Sequence, residues 1–279
     1  MTAADPSLPI HAPAPRRVLD VRRETSDVVT LRIEAGQRAF APGQFNMLYA
    51  FGIGEAAVSM SGDADDGSVD VHTIRALGAV TQALTSARVG DVVGVRGPFG
   101  RPWPVADAEG SDLVIIGGGL GLAPLRPVVY HALRHRPRYR RVVVLAGART
   151  PGELLFADEL ARWREDRAAG IEVRLVVDRA GSDWKGRVGV VPDLVEEGGL
   201  DGARTVALLC GPEVMMKYAV RPLRAAGVPE ARIFFSMERS MRCATAFCGH
   251  CQFGPAFLCK DGPVLPYDRL RPWLYVREL

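Results

Sequence analysis

Leu113-Val-Ile-Ile116 runs directly into Gly117-Gly118-Gly119-Leu120-Gly121-Leu122-Ala123-Pro124, and a helix-compatible stretch follows to about His135. A short apolar run that stops at glycines reads as a strand buried on both faces. Glycines behind such a strand let the backbone approach a pyrophosphate, and the N-terminus of the next helix faces it. The run is not a strict G-x-G-x-x-G. Gly119 and Gly121 serve as the first two glycines, and Pro124 stands where the third would be. Proline suits the first turn of a helix, so a dinucleotide loop and a purely structural glycine turn both fit these residues.

Downstream the rhythm continues. Strands recur at Val142–Ala146, Val173–Val177, Val206–Leu209 and Ile233–Phe235, with helices between them, including about Leu155–Arg167 and Glu213–Ala226. This alternation predicts a doubly wound parallel sheet, α/β in class, over residues 111–236. Cys210-Gly211-Pro212 follows the fourth strand at the carboxyl edge, where ligands bind in such sheets. Cys210 is either a small buried hydrophobe or part of a nicotinamide pocket. Arg149, after the second strand, either binds a ribose phosphate or pyrophosphate or sits in a surface salt bridge. Arg149, Lys185 and Arg187 suit a 2′-phosphate and Asp178 suits a free ribose, so NADP and NAD both stay open, with the cations tipping the expectation towards NADP.

Upstream the pattern is short strands: Val18–Arg22, Val28–Ile33, Phe45–Tyr49, Val58–Ser61, Val69–Ile74 and Asp91–Arg96. Turn signals separate them at Pro42-Gly43, Gly52 to Gly54, Asp63 to Gly67 and Gly90-Asp91. Close-set strands over residues 16–104 predict a small antiparallel β-barrel. One helix interrupts, from about Gly78 to Ala87, directly after a strand ending Ile74-Arg75. Its amides suit a phosphate, with Arg75 adding a charge-assisted bond; an ordinary capping helix is the alternative. Gly97 to Gly110 is rich in proline and glycine and reads as a linker. Residues 1–15 read as a loose leader.

After the last strand comes Cys243-Ala-Thr-Ala-Phe-Cys248-Gly-His-Cys251, then Cys259, spaced C-x4-C-x2-C-x7-C. Four of the five cysteines fall in this segment, 237–279. The first three intervals are those of a plant-type 2Fe–2S loop. A four-thiolate zinc site usually takes two C-x2-C knuckles, and only Cys248/Cys251 makes one. Phe247, Phe253, Phe257 and Leu258 are expected to keep water off the metal. His250 is expected to hydrogen-bond locally, since a Rieske site would need a second histidine nearby.

Of 279 residues, 48% are hydrophobic and 24% charged, with a net charge of +3. That is room for two domains, and too little positive charge to argue for nucleic acid. The arginines between Arg134 and Arg141 read as a solvated helix end. No apolar run reaches the ~20 residues of a membrane span. The N-terminus lacks the basic and apolar regions of a signal peptide. Clustered cysteines without secretion fit the cytoplasm.

These pieces, in this order, resemble the ferredoxin–NADP reductase superfamily, and more narrowly its iron–sulfur flavoprotein branch. That branch contains the gamma subunit of soluble nickel–iron (sulf)hydrogenases, the electron-transfer subunit of dihydroorotate dehydrogenase B and a subunit of anaerobic sulfite reductase. The likeness spans the chain from Arg16. It rests on Cys243 to Tyr267 with Glu238 and Met241 leading in, on Gly117 to Pro124, and on Cys210-Gly-Pro-Glu-Val-Met215. Pro42-Gly-Gln-Phe45 and Gly97-Pro-Phe-Gly100 mark the flavin domain. The seven-residue interval between Cys251 and Cys259 looks most like the hydrogenase gamma subunit.

The resemblance implies FAD on the barrel, with Val58, Ser59, Met60 and Ser61 along the flavin and Thr73, Ile74, Arg75, Gly78, Ala79, Val80 and Thr81 at the ribityl and pyrophosphate. It implies NAD(P)H over Gly118, Gly119, Leu120 and Gly121, and over Cys210, Gly211 and Pro212, with Cys210 as the catalytic-site cysteine. It implies a 2Fe–2S cluster on Cys243, Cys248, Cys251 and Cys259. Two departures stand out. Ala56 occupies a position where many members carry arginine, so pyrophosphate charge falls to other residues such as Arg75. Ala244 and Ala246 replace glycines in the cluster loop, which is expected to remove amide-to-sulfur hydrogen bonds or shift the potential.

The function this implies is a diaphorase-type electron-transfer subunit working between NAD(P)H, FAD, the cluster and partner subunits. The expected partners are hydrogenase large and small subunits and an iron–sulfur subunit, because nothing after the cluster reads as a terminal acceptor. Dihydroorotate dehydrogenase or sulfite reductase partners are the alternative within the class. A flavin-less, zinc-bound regulatory or assembly module is the alternative outside it, supported by Ala56.

Overall fold

The computed structural model describes residues 11–36 and 38–276. The first half is a six-stranded antiparallel sheet: β1 (Ala14–Arg23), β2 (Val28–Glu34), β3 (Phe45–Ala50), β4 (Gly54–Ser59), β5 (Val69–Arg75) and β6 (Val92–Phe99), in the order β4-β3-β6-β1-β2-β5. The two ends of that order meet at a bridge between Met60 and His72, which closes the sheet as the strand pattern predicts. Helix α1 (Ala79–Thr85) packs Leu84 into the interior beside Leu31, Leu48 and Ile74. Residues 1–10 of the expected leader lie outside the described residues. Ala14 and Pro15 already belong to β1, opposite Val95 and Gly94. The β2 pairing begins only at Val18, so Pro15 sits where β1 has a single neighbour and its missing N–H is tolerated.

The second half alternates as expected: β7 (Asp112–Gly118), α2 (Leu122–Arg134), β8 (Val142–Ala148), α3 (Ala157–Glu165), β9 (Glu172–Val177), β10 (Arg187–Val188), α4 (Val191–Glu196), β11 (Thr205–Cys210), α5 (Glu213–Ala225) and β12 (Ile233–Ser236). The strands β10-β9-β8-β7-β11-β12 are parallel, and a seventh joins β12 antiparallel. Both faces of β7, β8 and β11 are buried, which is why they read as unbroken apolar runs. Strand order reverses between β7 and β11, which places the ligand crevice at the ends of those two strands.

The seventh strand comes from beyond the cysteines. After β12 the chain leaves the sheet, makes a small hairpin of β13 (Gln252–Phe253) and β14 (Ala256–Phe257), and returns as β15 (Val264–Pro266) before α6 (Tyr267–Leu270). A three-residue strand that follows one proline and ends on another carries no periodicity, so the sequence shows only a turn-rich stretch there.

The two halves share packing. In β3, Leu48 and Ala50 face the barrel interior, while Phe45 and Met47 face a core that also holds Ile116, Phe235, Phe253 and Cys259. The stretch read as a linker is fixed at both sides. Gly97 to Phe99 complete β6, and Trp103 is buried with its Nε1 donating to the Pro124 carbonyl at 2.9 Å. Among the described residues no helix is long and apolar enough to cross a membrane.

Candidate functional site: a four-cysteine loop beside a nucleotide cleft

The cysteine loop is shaped by its backbone. Ala244 and Ala246 both have φ of 61°, the left-handed conformation that glycine adopts more cheaply. The turns they make aim amides at sulfur: Thr245, Phe247 and Cys248 N–H groups donate to Cys243 Sγ at 3.4, 3.3 and 3.4 Å. Ala246 N–H donates to Cys259 Sγ at 3.1 Å, and Cys259 N–H to Cys251 Sγ at 3.5 Å. The expected loss of amide-to-sulfur bonds therefore does not occur, because the alanines take up the glycine-like geometry. Burial alone would raise the Cys243 thiol, but the Thr245 and Cys248 amides outweigh it and bring its pKa down to about 6. Burial, with Cys251 beside it, pushes Cys259 up to about 12.

The thiols associate two by two. Cys248 acts on the titration of Cys243, and Cys251 on that of Cys259. Among the described residues, no three of the four sulfurs lie mutually within 4.8 Å. A single zinc ion would need all four about 3.8 Å apart, given a Zn–S bond of ~2.3 Å. A binuclear cluster, in which each iron takes two thiolates, fits the pairs. Phe253 and Leu258 are buried behind the loop and Phe257 is half-buried, as expected. Phe247 is not: it is 91% exposed at the loop tip. Arg96 of β6, itself buried, holds the loop to the barrel. Its guanidinium donates to the Cys243 and Arg242 carbonyls at 2.8 and 2.6 Å and pairs with Glu55. His250 Nδ1 lies 3.2 Å from the Cys248 carbonyl, a local contact.

A cleft of about 1200 Å³ opens at the strand-order reversal. Gly118 to Gly121, Gly211, Pro212, Arg149 and Asp178 line it from the parallel sheet, and Arg75 and Leu77 from the barrel. Its floor is two loops pressed backbone to backbone. A Cβ on Gly121 would lie 2.3 Å from the Cys210 carbonyl oxygen, and Gly211, at φ +153°, lies against the Gly118 backbone. The glycines are thus a steric requirement of the crossover as well as an open approach to a ligand. Cys210 packs its carbonyl against Gly121. Its side chain is buried, 3.9 Å from the Ser236 carbonyl, and burial holds the thiol protonated. Arg149 pairs with Glu153 at the cleft edge, while Arg187 is engaged by Glu197.

Sequence reasoning passed over Glu238 as a site residue. It lines the cleft next to Arg75, and burial raises its pKa against the pull of that arginine. The available signal was its place two residues beyond β12, at the carboxyl edge of the sheet.

On the barrel, the ends of β4 and β5 and the start of α1 converge. His72 is fully buried, with Nδ1 3.0 Å from the Ser59 carbonyl and Nε2 3.3 Å from Asn46 Nδ2. Burial lowers its pKa to about 4, so the neutral ring donates from Nδ1 and accepts at Nε2. Ser61 and Thr73 hydroxyls bond each other, and Thr73 bonds Thr30, each at 2.9 Å inside the barrel. Those side chains are occupied, which leaves the half-buried Ser59 and the backbone to face outwards. Thr81 caps α1, its Oγ1 accepting from the Leu77 and Gly78 amides at 3.0 Å. Arg75 stands 3.2 Å from Asp27 but out of line for a hydrogen bond, so its Nε has no hydrogen-bond partner. Phe51, Ile53 and Leu77 are exposed around this point. A guanidinium held by one ion pair and still short of a hydrogen bond, beside exposed apolar groups, fits a phosphate-bearing, ring-containing cofactor such as FAD. Ala56, opposite Leu48 in the hairpin, supplies only packing.

Comparison with known proteins agrees with this layout. Residues 115–221 match the oxidoreductase NAD-binding domain family, and residues 238–271 match the iron–sulfur cluster binding domain of dihydroorotate dehydrogenase B. The sulfhydrogenase 2 gamma subunit of Pyrococcus furiosus is 34% identical over 242 residues, covering 82% of this chain and 83% of that protein. A probable dihydroorotate dehydrogenase B (NAD(+)) electron transfer subunit of Methanopyrus kandleri is 35% identical over 260 residues, 92% of each chain. Among solved structures, an NADH-dependent reduced ferredoxin–NADP oxidoreductase superposes with a TM-score of 0.74 at 24% identity over 95% of each chain. The Amycolatopsis cytochrome P450 reductase GcoB superposes with a TM-score of 0.69 at 27% identity, over 80% of this chain and 69% of that one.

Proposed function

We propose, from the premise that this chain belongs to the oxidoreductase family of the sulfhydrogenase gamma and dihydroorotate dehydrogenase B electron-transfer subunits, that it is the NADH-linked electron-transfer subunit of a larger redox complex. The observation that carries the reading is the four-cysteine loop, its thiols paired two by two and tied through Arg96 to the barrel. When bound, FAD and a 2Fe–2S cluster supply the change from two-electron hydride chemistry to one-electron transfer. The chain's own residues bind, orient and insulate. Gly118 to Gly121 and Gly211-Pro212 hold the dinucleotide, Ser59 and the α1 start hold the flavin, Arg75 meets phosphate charge in place of Ala56, and Phe253 and Leu258 exclude water from the cluster.

Asp178 on the cleft wall, with Arg149 taken up by Glu153 and Arg187 by Glu197, supports NAD over the NADP to which the cations alone point. The exposed Phe247 supports a partner surface at the cluster tip. Hydrogenase large and small subunits with an iron–sulfur subunit are the partners we favour, in the cytoplasm. A dihydroorotate dehydrogenase or sulfite reductase partner would keep the mechanism and change the final substrate.

The test is anaerobic purification from the native host with whatever co-purifies. It combines flavin and iron analysis, identification of partners by mass spectrometry, and dye reduction by NADH against NADPH. Flavin, two irons per chain, NADH-dependent reduction and hydrogenase subunits are expected. Absence of flavin, iron and activity together would sink the reading.

A further inference from the structure

At the far end of α2 from the dinucleotide loop, three metal-ligating side chains converge that the electron path does not use. His131 and His135 stand one turn apart, their rings 4.5 Å between centroids. Asp65 reaches them from the loop between β4 and β5. One ligand atom from each of the three lies within 4.8 Å of the others. Histidines at i and i+4 share a helix face. His131 stands ten positions beyond Gly121, or about 15 Å along the helix at 1.5 Å per residue, so this cluster is separate from the nucleotide cleft.

His131 Nε2 is shielded from solvent and has no hydrogen-bond partner. A buried ring nitrogen left unpaired is costly, and a metal ion would satisfy it. The surroundings suit a cation. Asp65 and Glu109 act on His131 against Arg138, while Asp63, Asp65 and Asp66 offset the charge of Arg134. Both arginines are paired, Arg134 with Asp63 and Arg138 with Glu109. Arg134 also touches Asp65, at 3.6 Å. That contact can be given up while Arg134 keeps Asp63.

We propose that His131, His135 and Asp65 form a divalent-metal site of zinc type, closed by water, that braces the barrel against the parallel-sheet domain. Two imidazoles and one carboxylate are a zinc-class donor set rather than a magnesium or calcium one. Tetrahedral zinc wants its ligand atoms about 3.4 Å apart, given bonds of ~2.0–2.1 Å. Small rotations of the half-exposed His135 and the exposed Asp65 supply the remaining approach. Both histidines belong to the parallel-sheet domain and the aspartate to the barrel, so bound metal links the two across their interface. The inference does not depend on which partner complex the chain serves.

The test uses the holoprotein with its cluster intact, judged by visible absorbance before and after, so that the four thiols are not free for zinc. Zn²⁺ uptake is measured by calorimetry and by metal analysis after dialysis, alongside the thermal midpoint with and without zinc. One equivalent in the wild type and a rise in the midpoint are expected. His131→Gln/His135→Gln should abolish both, with His135→Ala as the milder variant should the double one fold poorly. Asp65→Asn should weaken binding by about tenfold or more. No saturable uptake by the wild type, or uptake unchanged in the histidine variants, would overturn the site. Uptake lost with the histidines but indifferent to Asp65→Asn would overturn the bridge between domains.

Discussion

The cluster loop and the nucleotide cleft are both built from backbone, but by opposite means. In the loop, residues with side chains are held in a conformation that favours glycine, and the gain is a set of amides aimed at sulfur. In the cleft, glycines are required because two loops leave no room for a Cβ. The first region depends on conformation and the second on space. The first should therefore tolerate small changes in side chain, and the second should not.

The largest effect is expected at the ligands. Cys248→Ser or Cys251→Ser should remove the iron and the cluster absorbance while NADH still reduces the flavin; iron analysis and rapid-mixing spectra check both halves. A variant that kept full iron would break the assignment of ligands. Next is Gly121→Ala. Its methyl group meets a backbone carbonyl that cannot rotate away, so a loss of about 1–3 kcal/mol in stability and a sharp fall in NADH affinity are expected, with iron retained. Denaturant unfolding and a KM measurement would show it. An unaffected Gly121→Ala would mean that the cleft is less constrained than its geometry implies.

His72 predicts an acid-sensitive barrel. Its pKa is about 4 when folded against 6.5 as the ordinary value. The unfolded chain binds the proton more readily between those two values, so stability is full above about pH 6.5 and falls as pH drops towards 4. The loss reaches roughly 3 kcal/mol. His72→Gln should flatten the fall in stability between pH 6.5 and 4, measured by urea unfolding across that range. The smallest effect belongs to the loop. Ala246→Gly relieves a left-handed alanine and should leave the cluster in place while stabilising the holoprotein by up to ~1 kcal/mol. A loss of cluster in that variant would show that the alanine methyl, and not only the backbone, shapes the loop.

Much of this was legible in local patterns. The unbroken apolar runs of β7, β8 and β11 and the alternation in the barrel strands gave both sheets, since burial on one face or two leaves a direct trace in residue order. The cysteine spacing gave the loop for the same reason: its ligands come from one short stretch. What escaped was made by residues far apart. Arg96 reaches a carbonyl 147 positions away, and Asp65 meets His131 across a domain boundary. Glu238 gains its character from burial beside Arg75. Phe247 misled because an aromatic next to a cysteine reads as shielding, whereas the loop turns it outwards. For Cys210, a strand end at the right edge does not say which way the thiol points, and here it is buried near the Ser236 carbonyl.

The path of the chain around the cluster has one more consequence. Because β15 lies against β12, the segment that carries the cysteines also covers the outer edge of the parallel sheet. Without metal to hold the loop closed, β15 would detach more readily and bare a row of unpaired donors and acceptors, a template for another copy. Iron would then act as a guard against self-association as well as a redox centre. Light scattering should rise when the protein is stripped of iron and fall again on reconstitution.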